Sequence, residues 1–239
     1  MRPEGDGSAV SPAGDRSPPS AGEAPGPEVP RIPLTHPVPT AGFRPGVDLT
    51  ADRVTIDATS AVDVTGRGYP GGNQSIFGTF GTTAGFVQGA GRGNGGTHGG
   101  VGGHYAGSSE AGNPTYGSFT DPVEYGAGGG EWSGAGAYGG GRVHIVANEL
   151  VLDGALHADG AISTGSASGE GAGGSVNLQL VNLLGSGRIS ADGGSTAGSN
   201  HSAGGGGRIA LRVSGSIGLP AANVHALGGD GYYGDGGHG

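Results

Sequence analysis

The sequence predicts an all-β fold, specifically a right-handed parallel β-helix (β-solenoid) of about four coils with long glycine-rich loops. Three observations support this: a segment recurs at constant spacing, each copy holds two short strands, and glycine separates them. The equivalent positions Val143, Val176 and Ile209 are 33 residues apart in each step. A fixed period of this size is typical of stacked-repeat proteins.

The first strand of each repeat alternates apolar and polar positions. Val143, Ile145 and Ala147 share one face, whereas His144 and Val146 share the other. This period of two indicates a strand. One repeat buries too few apolar side chains, at about 1.5 to 3 kcal/mol each, to offset the ordering of its backbone. We therefore expect the repeats to stack in parallel and to form continuous apolar ladders.

The second strand of each repeat is shorter and ends in a glycine turn. Its equivalent positions are Leu156, Ile189 and Val224, with an offset of 33 and then 35 residues, which indicates a two-residue insertion near Pro220. A sandwich or barrel of short antiparallel strands is the alternative fold, but direct repeats of equal length favour translation over reversal. A glycine-rich disordered chain with nascent strands is a further alternative, since 60 of 239 residues are glycine.

The composition divides the chain into two parts. Residues 1–47 hold 11 of the 15 prolines and are predicted to be a disordered proline-rich linker. The solenoid is predicted over 48–239. Its first coil is expected at 48–72, with Arg53–Ala58 aligned on Arg142–Ala147 and Ala61–Gly66 aligned on Ala155–Gly160. A glycine-rich excursion follows at 73–138, and the clear repeats occupy 139–229.

The excursion concentrates the aromatic residues of the chain, because 10 of 13 lie between Tyr69 and Tyr138. Aromatic rings set among small polar residues suit the stacking of sugar rings. The alternative is that these rings pack back on the solenoid and anchor the loop. The candidate glycan-binding residues are Trp132, Tyr125, Tyr138, Tyr116 and Tyr105.

Four stretches carry a family resemblance. Residues 52–72, 118–130, 204–211 and 219–229 resemble the glycine-rich β-helical segments of very large secreted bacterial repeat and adhesin-like proteins. The resemblance implies an extracellular or cell-surface setting and a structural or adhesive role in a larger multidomain chain. The N-terminus lacks a signal peptide, so the chain is expected to be a fragment of such a protein. The resemblance implies no catalytic residue.

Charge and composition exclude several classes of partner. The formal net charge is −9, whereas a nucleic-acid surface requires a basic stripe. The chain has no cysteine, which excludes disulfides and thiolate metal sites. No apolar run reaches the roughly 18 residues of a membrane-spanning helix. The expected partners are therefore carbohydrate or a host or cell surface.

Acidic residues near glycine turns raise two further possibilities. Asp153, Asp159 and Asp192 are candidate calcium ligands, since carboxylates in turns suit Ca²⁺; no other cofactor is expected. In turns, Asp also commonly accepts hydrogen bonds from backbone amides. The enzymatic alternative is a polysaccharide hydrolase or lyase, which requires carboxylates such as Glu131, Asp153 and Asp159 to gather near Trp132.

Overall fold

The computed structural model describes residues 33–110, 112–165, 167–196 and 200–239. They belong to one compact unit, Ile32–Gly239. The regular elements in the described residues are strands and one short 3₁₀ turn, Ala221–Asn223, with no α-helix. The all-β class is thus confirmed. Of the linker predicted over residues 1–47, residues 1–32 lie outside the described residues.

Two parallel four-stranded sheets form the framework. The first has the order β1-β5-β7-β9 and the second the order β10-β8-β6-β2. The first sheet contains the long strands β1 (Val47–Ile56), β5 (Arg142–Leu152), β7 (Ser175–Leu184) and β9 (Arg208–Val213). The second contains β2 (Ala61–Asp63), β6 (Ala155–His157), β8 (Arg188–Ser190) and β10 (Val224–His225). A small antiparallel pair joins β3 (Thr82–Thr83) and β4 (Val87–Gln88).

The predicted register of the repeats is confirmed. Val143 pairs with Val176, and Val176 pairs with Ile209. In the second sheet Ile189 pairs with both Leu156 and Val224. Because these pairs are parallel, the antiparallel sandwich or barrel is wrong for the repeats. The inward side chains form one core, which includes the fully buried Ile145, Leu178, Leu150, Leu156 and Ile189.

The long strands bend where their inward-facing pattern changes. In β5, Val143, Ile145 and Ala147 are buried, and the next buried position is Leu150 rather than residue 149. Two consecutive residues, Asn148 and Glu149, therefore face away from the core. The ladder omits Asn148. The side-chain amide of Asn148 instead donates a hydrogen bond of 2.6 Å to the Asp52 carboxylate. β5 thus covers two faces of the core, and β7 repeats the pattern, with Leu180 and Leu183 buried.

Glycine-rich segments, rather than strands, complete the structure. Segment 169–174 forms backbone hydrogen bonds with six other stretches. A β-strand directs its backbone groups to two sides only, whereas an extended helix with three residues per turn directs them outward all round. The pattern indicates packed helices of the polyproline II type. We call segments 94–103, 126–130, 136–141, 158–161, 169–174, 191–194 and 203–207 the glycine lattice.

Close approach of backbones explains the glycine content of this lattice. A Cβ atom on Gly169 would lie 1.7 Å from the carbonyl oxygen of Asn94, and one on Gly126 would lie 2.1 Å from that of Ala172. Real Cβ atoms do not approach so closely. Glycine here is required by contact with a neighbouring chain segment rather than by flexibility.

The predicted alignment of the first coil is partly wrong. Ala61 pairs with Ala155 as expected, but Val47 rather than Val54 pairs with Val143. Val54 pairs with Leu150 instead. The sequence alignment matched the wrong half of a long strand, because both halves of β1 carry alternating apolar residues.

The structured region also begins before the predicted boundary at residue 47. Leu34 forms a parallel bridge with Val62, which extends the second sheet by one position. His36 and Val47 are buried, and Tyr125 donates a hydrogen bond to the Pro45 carbonyl. Residues 33–46 therefore form an arm that packs against Val62 of β2 and against Tyr125, despite their proline content.

Candidate functional site

Four aromatic side chains from three separate segments meet in one group. Tyr105 lies 4.8 Å from Trp132 and 4.7 Å from Tyr233, measured between ring centroids. Tyr233 lies 5.0 Å from Tyr232 in an edge-to-face arrangement. We call Tyr105, Trp132, Tyr232 and Tyr233 the aromatic cluster. Such contacts add roughly 0.5 to 1.5 kcal/mol each beyond area burial, so the rings support one another.

The glycine lattice positions Tyr105. Its backbone N–H donates a hydrogen bond of 2.8 Å to the side chain of Asn94, which is buried. Gly93 has a φ of +73°, and a Cβ there would meet the Tyr105 ring at 2.9 Å. Residue 93 therefore has to be glycine, both because of its positive φ and because a Cβ atom would overlap the Tyr105 ring. Tyr105 is fixed by its backbone and by its ring.

Tyr233 is held at both of its ends. Its N–H donates to the His201 carbonyl at 3.2 Å, and its hydroxyl donates to the Asn200 side chain at 2.9 Å. Tyr232 has no such hydrogen bond in the described residues and remains 66% exposed, compared with 36% for Tyr233. In the cluster, Tyr105 and Tyr233 are thus fixed by hydrogen bonds, whereas the Tyr232 ring is open to solvent.

A cation covers part of Trp132. The Arg92 guanidinium carbon lies 4.6 Å from the centroid of the indole ring, within the range of a cation–π interaction. With Arg92 and Tyr105 both against it, Trp132 is partly enclosed. The structure therefore makes Tyr232, rather than Trp132, the most accessible ring of the group.

Two of the five predicted glycan-binding residues, Trp132 and Tyr105, belong to the cluster, and three do not. Tyr125 lies in the interior rather than at the surface, since its side chain is 1% exposed and packs edge-to-face on Tyr69 at 5.3 Å. Tyr116 is half-buried against His98 and donates its hydroxyl to the Tyr125 carbonyl at 2.6 Å. Tyr138 lines a separate cavity. Tyr125 and Tyr116 fill the space beneath the excursion, because the surrounding glycines provide few other apolar side chains.

Tyr232 and Tyr233 are the functional candidates that sequence reasoning missed. Both follow the last repeat, in a stretch with no strand pattern. A pair of adjacent tyrosines between glycines was the available signal. Their proximity to Tyr105 and Trp132 depends on lattice contacts, such as the hydrogen bond from Ala203 N–H to the Gly234 carbonyl.

The predicted calcium ligands divide between two locations. Asp153 accepts hydrogen bonds from the backbone and hydroxyl of Ser186. Asp159 accepts from the Asp192 N–H at 2.7 Å and from the Ser190 hydroxyl at 2.9 Å. Burial raises the pKa of the Asp159 carboxyl, and those two donors counteract the increase. Within the described ranges, no group of three or more His, Asp or Glu side chains is placed to hold a metal ion.

Asp192 repeats the role of Asp159 one step along the stack. Its carboxylate accepts from the Leu227 N–H at 2.8 Å and from Nδ1 of His225 at 2.7 Å. Each Asp therefore binds the backbone amide of the next repeat, as carboxylates in turns commonly do. Glu131, the third carboxylate considered for hydrolysis, is buried and forms a backbone bridge with Ser168. It shares no hydrogen-bond partner with Asp153 or Asp159 in the described structure.

A buried acid and imidazole lie elsewhere in the lattice. Oε1 of Glu170 is 2.8 Å from Nδ1 of His201, although the two atoms are not aligned for a hydrogen bond. The Ser163 N–H donates to the other carboxylate oxygen. Burial raises the pKa of Glu170 to about 7 and lowers the pKa of His201. Nothing in the sequence distinguished Glu170, a single acid in a run of glycine and alanine.

No helix among the described residues is long and apolar enough to cross a membrane. The comparisons with known proteins add no relative, since no family model, curated protein or solved structure matches this chain.

Proposed function

We propose that the chain is a rigid β-solenoid module that binds carbohydrate through the aromatic cluster. The observation that carries the proposal is the contact of four aromatic rings from three segments, with Tyr232 open to solvent. Sugar rings present CH groups that pack on such faces. The proposal names an adhesive and structural role and no reaction.

The β-solenoid part of the proposal is supported by the repeated parallel register. Both sheets advance by one strand per repeat, and their inward side chains share a single core. Each repeat runs from the first sheet to the second, through the lattice, and back into the first. We infer a coil closed by packed glycine segments instead of a third sheet, with the right-handed crossover usual for parallel strands.

The rigidity of the aromatic cluster supports the proposed binding of carbohydrate. A sugar-binding surface works best when its rings are ordered before the ligand arrives, because ordering costs then do not reduce affinity. Tyr105 and Tyr233 are tied to Asn94 and Asn200 by hydrogen bonds. The net charge of −9 disfavours nucleic acid as the partner. We therefore favour a neutral or weakly charged glycan.

The setting that suits this function is the cell exterior, within a larger surface or secreted protein. It rests on the resemblance to glycine-rich segments of secreted bacterial proteins. The carboxylates considered for a hydrolase or lyase bind separate partners, so we do not extend the proposal to polysaccharide cleavage.

A glycan-array experiment on the full chain tests the proposal. We expect specific binding that falls at least about tenfold, or about 1.4 kcal/mol, in Tyr232→Ala. Trp132→Ala should also weaken binding by loosening the base of the cluster. The matched control is Phe119→Ala, which removes a 76% exposed aromatic ring that makes no ring contact with the cluster.

Three outcomes would overturn the proposal. The first is that the folded parent chain binds no glycan on the array or in solution. The second is that Phe119→Ala reduces binding as much as Tyr232→Ala, which would indicate nonspecific aromatic adsorption. Binding unchanged in both cluster variants would place the contact on another surface.

A further inference from the structure

A second feature lies apart from the aromatic cluster. A cavity of about 320 Å³ opens between the N-terminal arm and two loops of the excursion. We call it the Thr82 cavity. Its lining includes Ala41, Ile76, Phe77, Thr82, Phe86 and Tyr138. Its size falls at the lower end of the range of small-molecule sites.

The lining is mostly apolar and carries no charge. Phe77, Phe86 and Tyr138 contribute aromatic rings, Ile76 and two prolines add aliphatic surface, and no lining residue carries a charge. A charged ligand would lose its hydration there without an ionic partner. The cavity therefore selects against anions and cations and suits a neutral ring compound.

One wall is held in an unusual conformation. Phe86 has a φ of +57°, a region that non-glycine residues seldom occupy. A turn holds it, since the Phe86 N–H donates to the Thr83 carbonyl at 3.0 Å. The ring packs edge-to-face on Tyr69 at 5.1 Å. The surrounding contacts thus stabilise a strained residue in the wall of a cavity, as is common at ligand sites.

One residue of the lining carries an unpaired polar group. Thr82 is 1% exposed, and its Oγ1 has no hydrogen-bond partner among the described residues. The backbone of Thr82 is already paired, with its N–H on the Pro70 carbonyl and its own carbonyl accepting from Gly128. A buried hydroxyl without a partner is costly. A ligand hydroxyl or N–H in the cavity would supply the missing bond.

We propose that the Thr82 cavity binds a neutral aromatic small molecule of one or two fused rings that carries a hydroxyl or N–H, as phenols and indoles do. The rings of Phe77, Phe86 and Tyr138 pack on the ligand, and Oγ1 of Thr82 forms its hydrogen bond. An apolar cavity of about 150 Å³ is enough for benzene, so the available volume accommodates a ring with its substituent. This site is independent of the glycan proposal.

The test uses four probes on the full chain, namely phenol, indole, toluene and benzoate, followed by calorimetry and ligand-observed NMR. We expect saturable binding of phenol and indole and none of benzoate. Thr82→Val keeps the side-chain shape and removes the hydroxyl, so phenol should bind about fivefold more weakly while toluene is unaffected. Ala41→Trp, on the exposed turn of the arm, should block all three neutral probes without touching the core.

Each opposite result would overturn the assignment. Absence of saturable phenol and indole binding to the folded parent chain would remove the site. Unchanged binding in Ala41→Trp would place the ligand elsewhere. An equal loss of phenol and toluene in Thr82→Val would show that the hydroxyl makes no specific bond.

Discussion

Glu170 is fully buried in the glycine lattice with its Oε1 2.8 Å from Nδ1 of His201. Both groups change their proton affinity on folding, in opposite directions. Burial raises the pKa of Glu170 from 4.5 to about 7, and it lowers the pKa of His201 from 6.5. In the unfolded chain between pH 4.5 and 6.5 the histidine is protonated and the carboxyl is not. In the folded chain burial favours the neutral form of both groups, so the proton shifts from the imidazole toward the carboxyl.

This exchange predicts how two single variants will differ. The raised pKa of Glu170 and the lowered pKa of His201 change the number of protons bound on folding in opposite directions, so in the parent chain they oppose each other in the pH dependence of stability. Glu170→Gln leaves only His201, whose lowered pKa makes stability fall as the pH drops below 6.5. His201→Gln leaves only Glu170. Because its pKa is raised, the free energy of unfolding should fall by up to roughly 3 kcal/mol as the pH rises from 4.5 to 7.

Urea unfolding of the parent and both variants at several pH values checks this prediction. The quantity to compare is the free energy of unfolding relative to the parent chain. The two variants should give slopes of opposite sign as the pH falls below 6.5. Parallel profiles would contradict the assignment of one shared proton to this pair.

His98 predicts acid sensitivity in the parent protein. It is fully buried, and burial lowers its pKa from 6.5 to about 4. Its Nδ1 lies 2.8 Å from the Gly173 carbonyl. The stability that neutral His98 provides is complete above pH 6.5 and is lost as the pH falls toward 4, by up to roughly 3 kcal/mol. His98→Gln keeps a donor for Gly173 and should flatten the unfolding free energy over this window, and a profile as steep as the parent's would contradict the prediction.

The glycine lattice predicts a sharp contrast between two glycine substitutions. Gly169→Ala places a Cβ 1.7 Å from the Asn94 carbonyl oxygen and forces two backbones apart, so we expect a loss of several kcal/mol. Gly42→Ala is the matched control, since nothing lies within 4 Å of its added Cβ. It should be neutral or stabilising by up to about 1 kcal/mol. Thermal unfolding of both variants measures this contrast. Similar midpoints would argue against close packing at Gly169.

The apolar ladder predicts a second contrast. Leu178 is fully buried between neighbouring strands, and Leu178→Ala should cost about 2 to 5 kcal/mol through lost burial and a residual cavity. Leu227→Ala, at a side chain 47% exposed, should cost well under half of that. Denaturant unfolding measures both. Equal losses would indicate that Leu178 does not belong to the core.

The strands of the repeats could be located from the sequence because a local residue pattern specifies their register. Alternating apolar residues define an inward face, and a one-residue shift would expose all of them. The constant offset then identified Val143, Val176 and Ile209 as partners. The same logic failed at Val54, because two halves of one bent strand carry the same alternation.

Local residue patterns were therefore enough to predict the all-β class, the parallel register of the repeats and the enrichment of aromatic residues in the excursion. Which rings face solvent depends on long-range contacts, because glycine has no side chain to indicate a facing direction. The lattice is held by backbone hydrogen bonds, whose partners are not encoded by residue type. Its packing brings Tyr105 to Tyr233 and Glu170 to His201, and it buries Tyr125.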